Sequence, residues 1–564
     1  MVPPPRTPPP LLLDRVIEGR DIASPFSILF TIPREILHLI IGHVASDKMD
    51  LASLALVNST CRQLARSCQF NYLHLDYSST ALEVLAMLQG EALQRHCSSD
   101  RMTVSPSLGA CVRQLKVNSE NYWSRYQSML PPDFISAPAQ QDDKEVERAR
   151  CVAATLSESL IHLYWPTALQ VIPTLPNLQS LCVTECAADD GLLDCLMGLS
   201  IRNLELRGDF SRIPNMLSRR NSCPLGMTLE TLILRTGWEF DFGLNNTRLD
   251  ASGFYKTLLA SCCSNLRRFE FSHRVVNSFR RNNELTDIPL SFYMEFPKLK
   301  TLHIGFSTLV DARVVSCLVR EGLTSLRIPY NDSDTSQFLS EIGQIYTLDT
   351  ILLKGFEATG STPTRFIEAN TQIRSLAVSW AVDAFLGRVI QSLHHHGNLK
   401  RLSLQWRETE IPEASLEKVS LLSSIEMLHI SAGQQGGWPH DWFIDHDKIK
   451  THVGRLSKLR RLVITRDTYQ LPPDDVAIFE PGRYYDFREP GSRLWASHET
   501  RMYEHAVAYV RTLPILEFLH IGQVLFAVEE NGGFRRPVVT GSAWVGERVY
   551  DVLKEEFGAQ DATF

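Results

Sequence analysis

The chain has 564 residues, 44% of them hydrophobic, and carries 57 Lys and Arg against 64 Asp and Glu, for a formal charge of -7. That length suits several domains or one long repeat array, and the acidic balance argues against a nucleic-acid backbone as partner, which wants a basic face. The twelve cysteines lie between Cys61 and Cys317 without regular pairing, as in a reduced intracellular protein rather than a disulfide framework.

The Pro-rich start, Met1 to Pro10, has neither the basic region nor the apolar run of a signal peptide, and no stretch matches the length of a transmembrane helix. The expectation is a soluble intracellular protein, in cytoplasm or nucleus, with no membrane contact and no nucleic-acid partner. Residues 1–25 read as a flexible Pro-rich terminus. Arg267, Arg268, Arg274, Arg280 and Arg281 form a local basic cluster, which reads as solvated surface.

Residues 26–70 have the pattern of a small helical module. Ile36, Leu37, Ile40, Ile41 and Val44 recur at helical spacing, with Pro33 in the first turn and Glu35 near the positive end of the helix dipole. The stretch from Asp47 to Asp50 breaks that helix and caps a second, in which Leu51, Leu54, Val57, Cys61 and Leu64 again make a stripe. So short a unit cannot complete its own core. It either caps the rest of the chain or docks on a partner.

Ile32, Pro33, Glu35, Ile36, Leu37 and Ile40, followed by Leu51, Leu54, Val57, Cys61 and Arg62, resemble an F-box, although Gln63 and Leu64 stand where that family usually has a late tryptophan. The resemblance covers about 40 residues. It implies that Ile32, Pro33, Glu35, Ile36, Leu37, Ile40, Leu51, Leu54 and Val57 bind a Skp-type adaptor, and through it a cullin–RING ubiquitin ligase, leaving the rest of the chain to bind substrate.

Residues 71–530 carry a repeated aliphatic-x-x-aliphatic-x-aliphatic pattern, from Leu178/Leu181/Val183 to Leu516/Leu519/Ile521, with less regular copies at Phe70/Leu73/Leu75, Val112/Leu115/Val117 and Leu160/Leu163/Trp165. From Leu299 to Ile425 successive copies start 24, 25, 25, 26 and 26 residues apart. A period in the twenties with a short strand in each unit marks leucine-rich repeats, in which each unit completes its core only by stacking on its neighbours. Apolar stretches at helical spacing, such as Phe385, Val389, Ile390 and Leu393, lie between strands.

The fold class expected is therefore α/β: a short N-terminal helical F-box-like unit, then an irregular leucine-rich-repeat solenoid with inner strands and outer helices, of the kind found in fungal F-box proteins. Insertions are expected near 131–150, 433–450 and 466–500. Residues 531–564, with the pattern Trp544, Val545, Val549, Val552, Leu553 and Phe557, read as a C-terminal helical cap.

On each strand the residue between the last two aliphatics should face away from the core, and Phe306, Tyr330, Trp380 and Trp406 should fall along one rim near Arg327 and Arg407. Aromatic rings beside arginines have the composition of interface hot spots, so these six residues are the candidate substrate-binding set. Two readings stand for the rings: an exposed anchor site, or core covered by loops.

No phosphate-binding, metalloprotease or nucleophile-elbow motif is present, and no nucleophile and base can be paired, so no enzymatic activity, cofactor or metal is expected. His394–His396 and the group Asp441, Asp445, His446 and Asp447 read as solvated or structural. The function expected is the substrate-recognition subunit of a Skp-cullin-F-box ubiquitin ligase, with a protein target of unknown identity. The alternative is a leucine-rich-repeat binding scaffold with no ligase partner.

Overall fold

The computed structural model describes residues 22, 27–45, 47–76, 78–97, 107–118, 164–184, 190–208, 228–236, 258–273, 286–287, 295–305, 308–309, 322–329, 332–354, 362–433, 442, 444–464, 493–522 and 524–540. The chain divides into two compact units, residues 4–283 with 289–298, and residues 299–564 with 284–288.

The N-terminal unit opens with helices Ile28–Thr31, Arg34–Val44, Lys48–Val57 and Ser59–Gln69. Asp47 Oδ1 accepts the Met49 N–H at 2.7 Å, and Asn58 Oδ1 accepts the Cys61 N–H at 2.8 Å. Each cap satisfies a donor that the first helical turn leaves without a partner. Leu37, Ile41 and Leu64 form the core of the module, joined by Leu29, Phe30, Leu54 and Cys68. Gln63 then ties the last helix to the short turn before the second strand, its Nε2 donating to Ser107 O at 2.7 Å.

Six strands follow in sequential order: β1 (Tyr72–Leu75), β2 (Gln114–Asn118), β3 (Ser180–Thr184), β4 (Asn203–Gly208), β5 (Thr231–Thr236) and β6 (Arg268–His273). Each pairs parallel to the next, with Leu73, Leu115, Leu181, Leu204, Leu232 and Phe269 in register. The expected copy at Leu160/Leu163/Trp165 is not a strand where it is described, because 164–170 is helical and Trp165 is buried on that helix.

In the C-terminal unit, β7 (Thr286–Asp287) and β9 (Thr308–Leu309) form a small pair. The main parallel run comprises β8 (Thr301–Ile304), β10 (Ser325–Pro329), β11 (Thr350–Lys354), β12 (Ser375–Ala381), β13 (Arg401–Trp406), β14 (Met427–Ser431), β15 (Arg461–Ile464) and β16 (Phe518–Ile521). Helices Asp332–Ile342, Thr362–Ala369, Asp383–Ser392, Glu413–Ser420, His446–Val453 and Arg493–Thr512 alternate with these strands. This is a mixed α/β fold with sequential strand order and a repeat architecture of solenoid type.

The pattern of burial explains the repeat. In β13, Leu402 and Leu404 are fully buried, as is Leu399, which closes the turn before the strand. The carbonyl just before each strand accepts two consecutive N–H groups from the next repeat. Asp349 O takes Arg374 and Ser375 at 2.8 and 3.0 Å, Arg374 O takes Lys400 and Arg401 at 2.9 Å, and Lys400 O takes Glu426 and Met427 at 2.8 and 2.9 Å. Neighbours are thereby locked together before the strand ladder begins, satisfying polar backbone that stacking would otherwise strand.

The array ends differently from expectation. β17 (Val524–Asn531) turns back antiparallel on β16, and β18 (Phe534–Val539) pairs antiparallel with β17. Residues 531–539, expected within a helical cap, therefore form strand and turn, because Asn531-Gly532-Gly533 supplies a two-residue hairpin with positive φ of 60° and 80° at its glycines. The expected helix from Trp544 to Phe557, and the insertions near 131–150 and at 466–492, lie outside the described residues.

Candidate functional site

Two faces matter, one on the N-terminal helices and one at the ends of β12 and β13. On the first, Ile36 and Ile40 lie exposed on helix Arg34–Val44 together with Leu39, which is 59% exposed. On the next helix Met49, Leu56 and Val57 are exposed, Leu56 at 82% and Val57 at 66%. Pro33 is exposed, while Ile32, Leu51 and Leu54 are half-buried. The Glu35 side chain lies outside the described residues.

Leu37 needs correcting as a contact residue. It is 3% exposed and packs with Ile41 and Leu64, so it holds the module together from inside. Met49 and Leu56 were missed because helix Lys48–Val57 is apolar nearly all round, and periodicity then cannot say which side faces out; Leu39, on the helix before it, falls outside the residues that carry the family resemblance.

At the second face, β12 ends in a bulge where its register with β13 shifts between Val378 and Ala381. Trp380 sits there at φ 60°, the left-handed region that tryptophan adopts at a cost, and is half-buried. Beyond the bulge Ala381 pairs with Trp406, and the Arg407 N–H donates to Ala381 O at 2.9 Å. The Arg407 side chain is exposed.

Trp406 is fully buried and belongs to the core, which corrects its expected place on an open rim. Its Nε1 donates to Asp383 Oδ1 at 2.9 Å, and Ser415 Oγ donates to the same oxygen at 2.6 Å. The indole N–H thus finds the partner that a buried tryptophan requires. Arg327 is likewise buried, at 8% exposed. Phe306 and Tyr330 lie outside the described residues, so Trp380 and Arg407 are the candidates that the structure leaves accessible.

The column between the paired aliphatics also departs from expectation. Glu270, His303, Leu352, Ala377, Ser403, His429, Val463 and His520 are all buried. At the strand spacing of about 4.8 Å each is shaded by its in-register neighbours. Ser403 Oγ and His429 Nδ1, for example, lie 2.7 Å apart across β13 and β14. Burial pushes His429 down to about 4, and burial together with the neighbouring His429 pushes His520 down to about 3, so both are neutral at pH 7.

His396 is also buried, with Nδ1 3.1 Å from Ser392 O and Nε2 3.0 Å from Ile367 O. Its burial lowers the pKa against the upward pull of those carbonyls, and the ring acts as a structural staple between two repeats. Burial raises the Cys182, Cys195 and Cys262 thiols to about 12, so none is a thiolate nucleophile at neutral pH. Among the described residues no three of His, Cys, Asp and Glu converge as metal ligands, and no helix is long and apolar enough to cross a membrane. No protein-family model matches the chain, and neither does any curated protein.

Proposed function

We propose that the chain is the substrate-recognition subunit of a Skp-cullin-F-box type ubiquitin ligase, an F-box-like helical module joined to an irregular leucine-rich-repeat solenoid. The observation that carries this reading is the set of exposed aliphatic residues on two consecutive short helices: Ile36, Leu39 and Ile40, at i, i+3 and i+4 on one face of the first, and Leu56 and Val57 at the end of the next. Three large aliphatic side chains on one face of a single short helix, left in water, are what a helix that docks on a partner presents. The adaptor would cover them, the repeats would hold a protein target, and the gain would be proximity to a ubiquitin-charged enzyme.

Co-purification with a Skp-type adaptor tests the reading. The double variant Ile36→Asp with Val57→Asp should lose the adaptor while keeping the melting temperature of the parent, since both side chains are exposed. Leu37→Asp is the wrong probe, because a carboxylate among Leu37, Ile41 and Leu64 would unfold the module itself. Failure of the intact chain to capture any Skp-type adaptor would sink the ligase reading and leave a repeat scaffold.

A further inference from the structure

In each repeat the residues on either side of the first buried aliphatic project from the rim that precedes the strand. Along the C-terminal unit three cations of this rim each meet a carboxylate, while Lys300 and Lys458 add further exposed positive charge. Arg374 meets Asp349 at 3.6 Å, Lys400 meets Glu426 at 2.8 Å, and Arg460 meets Glu517 at 2.5 Å. The hydrogen bond from Lys400 is the main reason that the Glu426 carboxyl lies below its usual range.

On the same rim of the N-terminal unit the charges gather around one cleft. Ser200 and Arg202, Thr228 and Glu230, Asn265 and Arg267, and then Lys298, all polar or charged, are the described residues that line a cleft of about 440 Å³. Three cations line it beside one carboxylate, Glu230, which only Arg267 meets among the described residues, at 3.8 Å. Lys298 Nζ is held by the neutral Asn265 Oδ1 at 2.8 Å, and Arg202 has no carboxylate partner among the described residues.

We infer that this cleft binds an acidic, carboxylate-bearing peptide segment lying along the rim. The cations are strung out, not convergent. Arg202 and Arg267 precede β4 and β6, two strand spacings apart, or roughly 10 Å. A compact dianion reaches one of them, whereas an extended chain with carboxylates on alternate residues, about 7 Å apart, reaches several. Glu230 in the middle divides the positive charge and disfavours the denser charge of a nucleic-acid backbone. Ser200, Thr228 and Asn265 add neutral groups that can hydrogen-bond a peptide. This surface is separate from the adaptor face, and its assay contains no adaptor, so either proposal can fail alone.

The test is fluorescence anisotropy of a labelled oligoglutamate peptide with the full-length protein at low salt. Binding should weaken as salt is added, and Arg202→Glu with Lys298→Glu should weaken it by at least about tenfold without changing the melting temperature. Arg202→Gln alone should give a smaller loss in the same direction. Glu230→Gln should tighten binding, and Lys400→Glu, outside the cleft and paired with Glu426, should change it less than about twofold. The proposal is overturned if the double reversal binds like the parent, if Lys400→Glu loses as much, or if an oligodeoxythymidine of equal charge binds more tightly through the same residues.

Discussion

Trp380 is the residue whose backbone is least expected of its side chain. At φ 60° an L-residue crowds its Cβ against its own backbone, at a cost of about 1–2 kcal/mol that glycine avoids. The structure over-determines it: Ala381 on its C-terminal side is fully buried and pinned by the Arg407 N–H, while Val378 on its N-terminal side is locked in register with Leu404. Strain held in this way marks positions where a side chain is kept for its use. Trp380→Ala keeps the strain and loses the ring, whereas Trp380→Gly loses both. The glycine variant should therefore be more stable than the alanine variant by about 1 kcal/mol, read from urea denaturation midpoints. Equal stabilities would mean that the turn carries no strain.

Between elements, buried polar staples outweigh visible charge pairs. Asn370, fully buried after helix Thr362–Ala369, accepts the Ile345 N–H at 2.8 Å and donates to Phe366 O at 2.8 Å and to Gly343 O at 3.3 Å, joining two repeats through one amide. Asn370→Leu leaves those groups buried without a partner, which should cost about 3 kcal/mol. Asp349→Asn removes the pair with Arg374, whose side chains are 39% and 63% exposed, and should cost under about 1 kcal/mol. Denaturant midpoints of the two variants decide the ranking, and a larger loss for Asp349→Asn would reverse it. The strands were legible in the sequence because the recurrence of aliphatic pairs such as Leu402 and Leu404 marks the inward positions, although Ser403 between them is buried as well. The staples were not, since nothing in the spacing of Asn370 or His396 distinguishes a buried amide or imidazole from a solvated one. Trp380 and Trp406 hold similar places in sequence, and only the bulge separates the half-buried ring from the core ring.

At the scale of the molecule, a run of parallel strands needs an end, because its last strand would otherwise offer a row of unpaired backbone groups to another chain. The hairpin of β17 and β18 supplies it. Phe526, fully buried, sits in register with Leu519, and the turn from β16 is tight enough that a Cβ on Gly522, at φ 50°, would meet Met502 Sδ at 2.5 Å. The outer strand β18 carries Arg535, Arg536 and Pro537, charges and a missing N–H that discourage further pairing. Phe526→Ala should cost about 3–5 kcal/mol, loosen the hairpin from β16, and convert the protein into one that self-associates with rising concentration. Phe534→Ala, at the exposed tip, should do neither. Light scattering across a concentration series, beside thermal melts, separates the two. A Phe526→Ala protein that stays monomeric and melts like its parent would mean that the hairpin does not protect the end of the array.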